Sequence, residues 1–251
     1  MESSSDQVDQ FLACYRNWMI EQQQLLEELL QVHNQNPNDE KELRCVIEKL
    51  IKHFQDYTNR RAQLAIDEAS SFLAPTWCTS FENAYLWFGG CRPSLMIQLV
   101  YSLCGSQLES QLSEYLEGVR RSNIGELSAD QLILVSELQC RTILEEERIS
   151  KNMDSLQENI ADYCPLAKLA NNSNDSETDD QSHIGQVEQA LDSHSKDLDS
   201  ILVDSDKLRM NTLKELISIF TPLQAVELLI AGKKLHLNMH QLEGPREESH
   251  P

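Results

Sequence analysis

Residues 85–94 read Tyr85-Leu86-Trp87-Phe88-Gly89-Gly90-Cys91-Arg92-Pro93-Ser94, and we expect this stretch to decide how the helices around it cross. It holds the one Gly-Gly pair in a chain with only 8 glycines. A glycine pair lets the backbone adopt positive φ and approach a neighbour closely. A proline fits the first turn of a helix, where its missing N–H costs nothing. The stretch therefore predicts a tight corner between two helices, with Trp87 and Phe88 packed into a core.

Amphipathic helical patterns precede this corner. Apolar residues recur at spacings of three, four and seven over residues 6–33, and again over residues 39–73. Asn38 or Asp39 is placed to cap the second of these helices, and Ser80 to cap a short helix that leads into the corner. The other face of the second helix is basic and is expected to be solvated; its charged residues are Lys41, Arg44, Lys49, Lys52, Arg60 and Arg61.

The chain after the corner keeps the helical period. The pattern predicts helices over residues 93–104, 108–119, 128–163, 207–220 and 222–240. Gly105 is expected to end the first of them and Thr221 to cap the last. Since no segment alternates in the manner of a strand, the predicted fold class is all-α, a multi-helix bundle of long amphipathic helices.

An acidic segment interrupts the predicted domain, which spans residues 5–243. Residues 171–206 hold ten acidic residues against a single basic one, Lys196. Residues 166–183 are expected to form an acidic flexible loop, because polar composition and net charge oppose burial. The part after this loop is expected to form a weak helix, and residues 244–251 a disordered polar tail.

The composition excludes several functional classes. A net charge of −20 opposes a purely electrostatic grip on nucleic acid, and no apolar run is long enough to cross a membrane. The seven cysteines are scattered without a C-x-x-C pair, which favours reduced thiols over zinc sites or disulfides. No signal peptide and no catalytic motif is found. The sequence thus predicts a non-enzymatic protein of the nucleus or cytoplasm.

Two separated motifs resemble a known family. Phe11-x3-Tyr15-x2-Trp18 followed by residues 86–94, and the later run 208–236, are similar to the plant Delay of Germination (DOG) family. The same domain forms the C-terminal half of the TGA class of plant bZIP transcription factors. In this resemblance the structural family motif is Trp87, Gly89, Gly90, Arg92 and Pro93.

The resemblance implies a regulatory protein-interaction module in seed dormancy, seed maturation and abscisic-acid signalling. It implies protein phosphatases of the two-C type and bZIP factors as candidate partners. A transcriptional co-regulator is an alternative. Because the pattern begins almost at Met1, with no basic region or zipper before it, we expect no direct DNA binding.

The resemblance also implies haem as a possible cofactor, held by C-terminal histidines that match His236 and His240. Their i, i+4 spacing places both imidazoles on one helical face. Axial ligands lie on opposite sides of a porphyrin, so the two cannot bind one iron in trans. Either one of them ligates alone, or His33 or His53 supplies the sixth ligand. The competing interpretation is a pair of partly exposed histidines near a helix end. No other metal site is predicted.

The N-terminal helix is the predicted interaction surface. Asp6, Asp9 and Gln10, beside Tyr15 and Trp18, are expected to bind a partner protein or a second copy of the chain. A lipid-binding sensor is a further alternative, since the aromatic residues Trp18, Trp77, Trp87, Phe81 and Phe88 are able to line an apolar pocket. Core packing is the commoner use of such residues.

Overall fold

A computed structural model describes residues 4–66, 69–117, 127–162 and 180–241, with side chains for 10–66, 69–105, 127–159 and 192–241. These residues form helices and contain no strand, so the predicted all-α class is confirmed. The helices are α1 (Ser4–Gln35), α2 (Glu40–Leu64), α3 (Ala69–Leu73), α4 (Ser80–Tyr85), α5 (Pro93–Glu117), α6 (Ala129–Asp162), α7 (Asp180–Ile219) and α8 (Pro222–Gln241). None of the helices in the described ranges has the length and apolar character needed to span a membrane.

The helix predicted over residues 39–73 is in fact two helices. α2 ends at Leu64, and the short α3 begins at Ala69. Ala69 and Phe72 of α3 are both buried, and the ring of Phe72 lies 4.6 Å from that of Phe11. The prediction of one helix was wrong because a break lets α3 turn this apolar pair onto α1, and tertiary packing outweighs local helix propensity.

Two other boundaries were predicted where the chain remains helical. Gly105 does not end a helix, since α5 continues through it to Glu117. The weak helix and the helix at 207–220 are one element, α7, because no proline or glycine occurs between Gly185 and Pro222. α7 also takes in residues 180–183 of the predicted loop. The rest of that loop and the 244–251 tail lie outside the described residues.

Side chains cap several of these helices. The carboxylate of Asp39 accepts from the backbone N–H groups of the first turn of α2, as predicted. Thr79, and not Ser80, caps α4, in a capping box with Glu82. Thr221 and Gln224 exchange hydrogen bonds of 3.3 and 3.0 Å at the start of α8.

The main core joins six helices. Its most buried members include Leu29, Val46, Ile97, Val135, Leu216 and Val226, one from each of α1, α2, α5, α6, α7 and α8. A smaller cluster of Phe11, Ala65, Ala69, Phe72 and Leu202 ties the start of α1 to α3 and α7. Fully burying a large apolar side chain contributes about 1.5–3 kcal/mol, so these layers fix the packing of the long helices. α1 and α8 lie against each other and position the candidate site.

Candidate functional site

The corner at residues 85–94 is a two-residue hairpin turn. Trp87 and Gly90 exchange backbone hydrogen bonds of 2.8 and 3.3 Å. The two central residues both have positive φ, 44° at Phe88 and 71° at Gly89, as a type I′ turn requires. A Cβ on Gly89 would lie 2.7 Å from the carbonyl oxygen of Phe72. Glycine is therefore required at position 89 both for its φ and for close approach to α3.

Two buried arginines hold the carbonyl groups of this turn. Arg209, on α7, donates to the carbonyl oxygens of Trp87, Phe88 (2.9 Å) and Cys91 (2.7 Å). Arg61, on α2, donates to that of Gly89. A Cβ on Gly90 would lie 2.9 Å from the Arg209 guanidinium carbon, so this glycine makes room for the arginine.

Asp206 pairs with both of these arginines. Its carboxylate accepts from Arg61 Nε at 3.0 Å and from Arg209 Nη1 at 2.7 Å, and all three side chains are buried. Arg61 was predicted to lie on a solvated basic face, and this was wrong. The guanidinium groups are buried because they satisfy carbonyl oxygens that a tight turn leaves outside any helix.

The aromatic residues of the turn do not pack into the apolar core, contrary to prediction. Trp87 and Phe88 are half-buried. The guanidinium carbons of Arg92 and Arg209 lie 5.9 and 5.5 Å from the Trp87 ring centroid, within the range of cation–π attraction. Trp87 Nε1 donates to Ser150 Oγ at 3.3 Å. The ring serves as a platform for two cations.

The first turn of α5 is held by a buried carboxylate. Glu146, on α6, is only 1% exposed. It accepts from Arg92 Nε at 2.7 Å, from the backbone N–H of Ser94 at 2.6 Å and from Ser94 Oγ at 3.0 Å. Pro93 is the first residue of α5, as predicted. A negative charge here also stabilises the positive end of the helix dipole.

His240 belongs to a hydrogen-bonded group between α1, α4 and α8. Its Nδ1 lies 3.0 Å from Oε1 of Glu82, and the Tyr15 hydroxyl donates to the same oxygen at 3.1 Å. Burial alone would raise the pKa of Glu82. Hydrogen bonds from the Thr79 backbone and from His240 outweigh burial and lower it. The group holds a carboxylate that bridges the first and last helices.

His236, one turn earlier on α8, lies among aromatic rings. The edge of its ring meets Trp18 with centroids 5.1 Å apart, and Trp18 stacks on Tyr57 at 4.4 Å. Burial lowers the pKa of His236 to about 4. This imidazole is therefore neutral at physiological pH and serves as packing between α1, α2 and α8.

Lys233 continues the polar path along α8. It is 8% exposed, and its ammonium group donates to Oε1 of Gln22 on α1. Gln22 Nε2 lies 2.8 Å from Nε2 of His53, whose Nδ1 lies 3.0 Å from a carboxylate oxygen of Glu21. Burial lowers the pKa of Lys233 to about 8 and also lowers the pKa of His53. The path thus contains a cation whose hydrogen-bond partner is a neutral amide.

We call the cluster of Tyr15, Trp18, Glu82, His236 and His240 the joint, because its chemistry is that of packing between helices. Burial and the charge of Glu82 raise the pKa of the Cys78 thiol to about 11, so it carries no nucleophilic thiolate near neutral pH. Burial raises the pKa of Tyr57 to about 12, and with Cys78 and Glu82 it also raises that of Tyr15. Among the described residues, no group of three or more histidine, cysteine or carboxylate side chains is placed to bind a metal.

The two predicted sites meet in this joint. The ring of Tyr15 lies 6.0 Å from that of His240, and Trp18 contacts His236. Tyr15 is buried, Trp18 is half-buried and Gln10 is exposed. The side chains of Asp6 and Asp9 lie outside those described. Their role in partner binding stays a prediction.

The aromatic residues of the lipid alternative lie in different places. Trp18 belongs to the joint, Trp77 packs on Phe11 and Phe72, Phe81 on Tyr85, and Trp87 on Phe88. They do not line one common pocket.

Sequence reasoning missed the polar and charged residues that organise both regions. They are Gln22, Glu82, Glu146, Asp206 and Arg209. A signal existed for Glu82, which follows Thr79 in a T-x-x-E capping-box pattern. Glu146 lies among other glutamates on α6, and no sequence pattern distinguishes the buried one.

Comparison with known proteins identifies the family. The family model described as "DOG1: Seed dormancy control" matches residues 23–102. "Protein DOG1-like 3" of Arabidopsis thaliana is 38% identical over 98% of this chain and 88% of its own length. "Protein DOG1-like 1" of the same plant is 38% identical over 98% of this chain and 94% of its own length. "Transcription factor TGA5" is 25% identical over 91% of this chain and 62% of its own length. With this similarity along nearly its whole length, the chain belongs to the DOG1-like family.

Proposed function

We propose that the chain is a non-enzymatic regulatory protein that acts by binding other proteins in seed dormancy, seed maturation and abscisic-acid signalling. The candidate partners are protein phosphatases of the two-C type and bZIP factors, in the nucleus or cytoplasm. The similarity to DOG1-like proteins across 98% of the chain is the observation that carries this proposal. A regulatory role also agrees with the similarity to a transcription factor.

The chemistry of the joint supports a binding role over catalysis. Tyr15, Glu82 and His240 hydrogen-bond to one another, and the nearby thiol of Cys78 is held protonated. A site arranged in this way stabilises contacts between helices. A net charge of −20 also supports contact with proteins in preference to direct contact with DNA.

The surface proposed for partners is the start of α1. Deleting residues 1–20 is a poor test of it, because the deletion removes Phe11 and Tyr15, which are 2% and 7% exposed and hold α1 in place. A charge-reversed pair, Asp6→Lys with Asp9→Lys, keeps both anchors. A matched control, Glu48→Lys with Asp154→Lys, makes the same charge change at exposed positions of α2 and α6.

The test is a pull-down of purified phosphatase of the two-C type by the full chain. We expect the D6K/D9K variant to lose binding and the E48K/D154K variant to keep it. Equal binding by both variants and the wild type would remove the start of α1 as the partner surface. A failure of the wild-type chain to bind any such phosphatase would contradict the choice of partner.

A second candidate function, haem binding, is favoured by one feature of His240. Metal-ligating histidines commonly donate one ring N–H to a carboxylate, which orients the other nitrogen toward the metal. Glu82 is placed to accept in this way from Nδ1, so that Nε2 is left for the iron, and the side chain is 36% exposed. Haem would supply redox and gas-binding chemistry there.

Three other histidines of the described residues, His33, His53 and His236, fit this role less well. His236 is packed on Trp18, and both ring nitrogens of His33 and His53 have polar neighbours. Titration with haem and recording of the Soret band separate these residues. We expect His240→Ala to abolish the shift and His236→Ala to retain it. A shift retained in H240A excludes His240 as the ligand.

A further inference from the structure

The solvent side of α6 carries an apolar stripe. Ile133 and Leu144 are 56% and 64% exposed, and Leu132 and Leu134, which flank Ile133, are 40% and 46% exposed. Eleven residues are three helical turns, so Ile133 and Leu144 lie on one line of the helix, opposite the buried Val135 and Thr142. The thiol of Cys140 is exposed between them. Large apolar residues grouped in this way mark an interaction surface.

The charges beside this stripe are arranged symmetrically about Gln139. Asp130 and Glu137 precede it by nine and two residues, while Arg141 and Arg148 follow it by two and nine, and all four are exposed. In an antiparallel pair of α6 helices related by a two-fold axis at Gln139, Asp130 lies opposite Arg148 of the second copy. Glu137 then lies opposite Arg141 of the second copy.

One apolar pair obeys the same symmetry. Leu134 and Leu144 are each five residues from Gln139, so they face each other in the same register. Within this set of four residues, acid before the midpoint and base after it is a self-complementary order, which a second copy satisfies. We propose that α6 is the surface through which two copies of this chain pair, antiparallel, about Gln139.

Existing ion pairs do not block this arrangement. Arg141 contacts Glu215 at 2.8 Å, and Arg148 contacts Glu145 at 2.8 Å and Asp204 at 3.5 Å. These pairs lie at the surface, where ion pairs contribute little and are readily shared or exchanged. The contact is short: residues 130–148 cover about 27 Å of helix. A contact along this length of helix buries an area at the low end for protein interfaces, so the pairing is weak and depends on concentration.

This surface is separate from the start of α1 and does not rest on the function proposed above. Sedimentation velocity of the full chain over a concentration series tests it. We expect the wild type to move toward the dimer mass as concentration rises, and Leu144→Glu and Ile133→Glu to remain monomeric. Leu235→Glu, at a 50% exposed leucine of α8, is the matched control and keeps the wild-type behaviour. A monomeric wild type, or a dimer that L144E leaves intact, overturns the proposal.

Thiol cross-linking and charge exchange test the register. Packed helices lie about 8–10 Å apart, so a short bismaleimide joins two copies through Cys140, one residue from the proposed axis. We expect Cys140→Ser to remove the cross-linked dimer and Cys45→Ser, at an exposed thiol of α2, to retain it. Glu137→Arg is expected to weaken pairing, and adding Arg141→Glu to restore it. A dimer still cross-linked in C140S, or no recovery in the double variant, contradicts the antiparallel register.

Discussion

Arg209 donates a hydrogen bond of 2.9 Å to the main-chain carbonyl of Phe88, across 121 residues of sequence. Phe88 has positive φ, which a bulky residue rarely adopts. The arginine offsets part of the backbone strain at Phe88 by donating hydrogen bonds to the carbonyl groups that the turn exposes. Its own charge is balanced by Asp206, so the turn depends on the carboxylate as well as on the arginine.

The first prediction concerns this carboxylate. Replacing Asp206 by Asn leaves Arg61 and Arg209 buried without their counter-charge, which is expected to cost about 3–5 kcal/mol in the free energy of unfolding. Urea denaturation followed by tryptophan fluorescence measures the loss. Asp204→Asn is the control on the same helix, because Asp204 pairs near the surface and its loss is expected to cost under about 1 kcal/mol. Similar losses in D204N and D206N would contradict the assigned role.

The second prediction compares two glycines. Gly89→Ala is expected to destabilise the fold by about 2 kcal/mol or more, since an alanine must adopt positive φ. Its Cβ would also clash with the carbonyl oxygen of Phe72 at 2.7 Å. Gly105→Ala is expected to stabilise by about 0.5–1 kcal/mol, because its Cβ meets nothing within 4 Å and alanine favours a helix. Melting temperatures of the two variants should move in opposite directions, and a fall in both would show that α5 does not continue through Gly105.

Much of the fold was predictable from apolar periodicity. The starts of α5, α6 and α8 were predicted well because Pro93, Ser128 and Pro222 punctuate the chain there. The errors came from local signals that packing overrides. Gly105 is a helix terminator in isolation, yet α5 passes through it, and α2 ends where the sequence offers no proline or glycine. The burial of Phe72 against Phe11, which explains that break, pairs residues 61 positions apart and has no local signature.

The candidate site was predicted only in pieces. Tyr15, Trp18, His236 and His240 were identified separately, and the sequence did not show that α1 lies against α8. The residue that joins them, Glu82, comes from a third helix. Buried charges such as Asp206 look like surface residues in a chain with 41 acidic side chains, so only the packed structure separates them.

The third prediction concerns Lys233, whose pKa burial lowers to about 8. In the unfolded chain the Lys233 side chain is protonated below about pH 10.5, whereas in the folded chain it is protonated only below about pH 8. The free-energy cost of burying a charged Lys233 is therefore fully present below pH 8 and absent above about pH 10.5. Replacing Lys233 by Met is expected to stabilise the protein by about 1–2 kcal/mol at pH 7, after allowance for the amide of Gln22 that loses its donor.

Urea denaturation of K233M and the wild type at pH 7 and near pH 10 measures this gain in stability. We expect the gain to be smaller at the higher pH, because the folded wild type no longer buries a charged Lys233 there. Lys234→Met is the matched control, since the side chain of Lys234, the next residue along α8, is exposed and its replacement should change stability little. A gain that is the same at both pH values would argue against a protonation cost at Lys233.

The fourth prediction concerns acid stability through His236. Burial lowers its pKa to about 4, so protonation favours the unfolded chain as pH falls below about 6.5. Between pH 7 and 5 this is expected to remove about 2 kcal/mol of stability. His236→Phe keeps an aromatic ring beside Trp18 and abolishes this part of the pH dependence.

The measurement is the free energy of unfolding of H236F and the wild type at both pH values. His33→Phe is the comparison variant, because its side chain is 32% exposed at the far end of α1. A wild-type stability that falls no faster than that of H236F would show that His236 is not the group that titrates.

The network of Arg61, Asp206 and Arg209 has a consequence for synthesis on the ribosome. The family model covers residues 23–102, yet the carbonyl groups of Trp87, Phe88 and Cys91 within that span accept from Arg209, which pairs with Asp206. At about 5–20 residues per second, translation needs roughly 6–24 s to pass from the turn to these partners. We therefore expect the nascent N-terminal half to remain incompletely folded, with apolar surface accessible to chaperones. It should become protease-resistant only once α7 has left the exit tunnel.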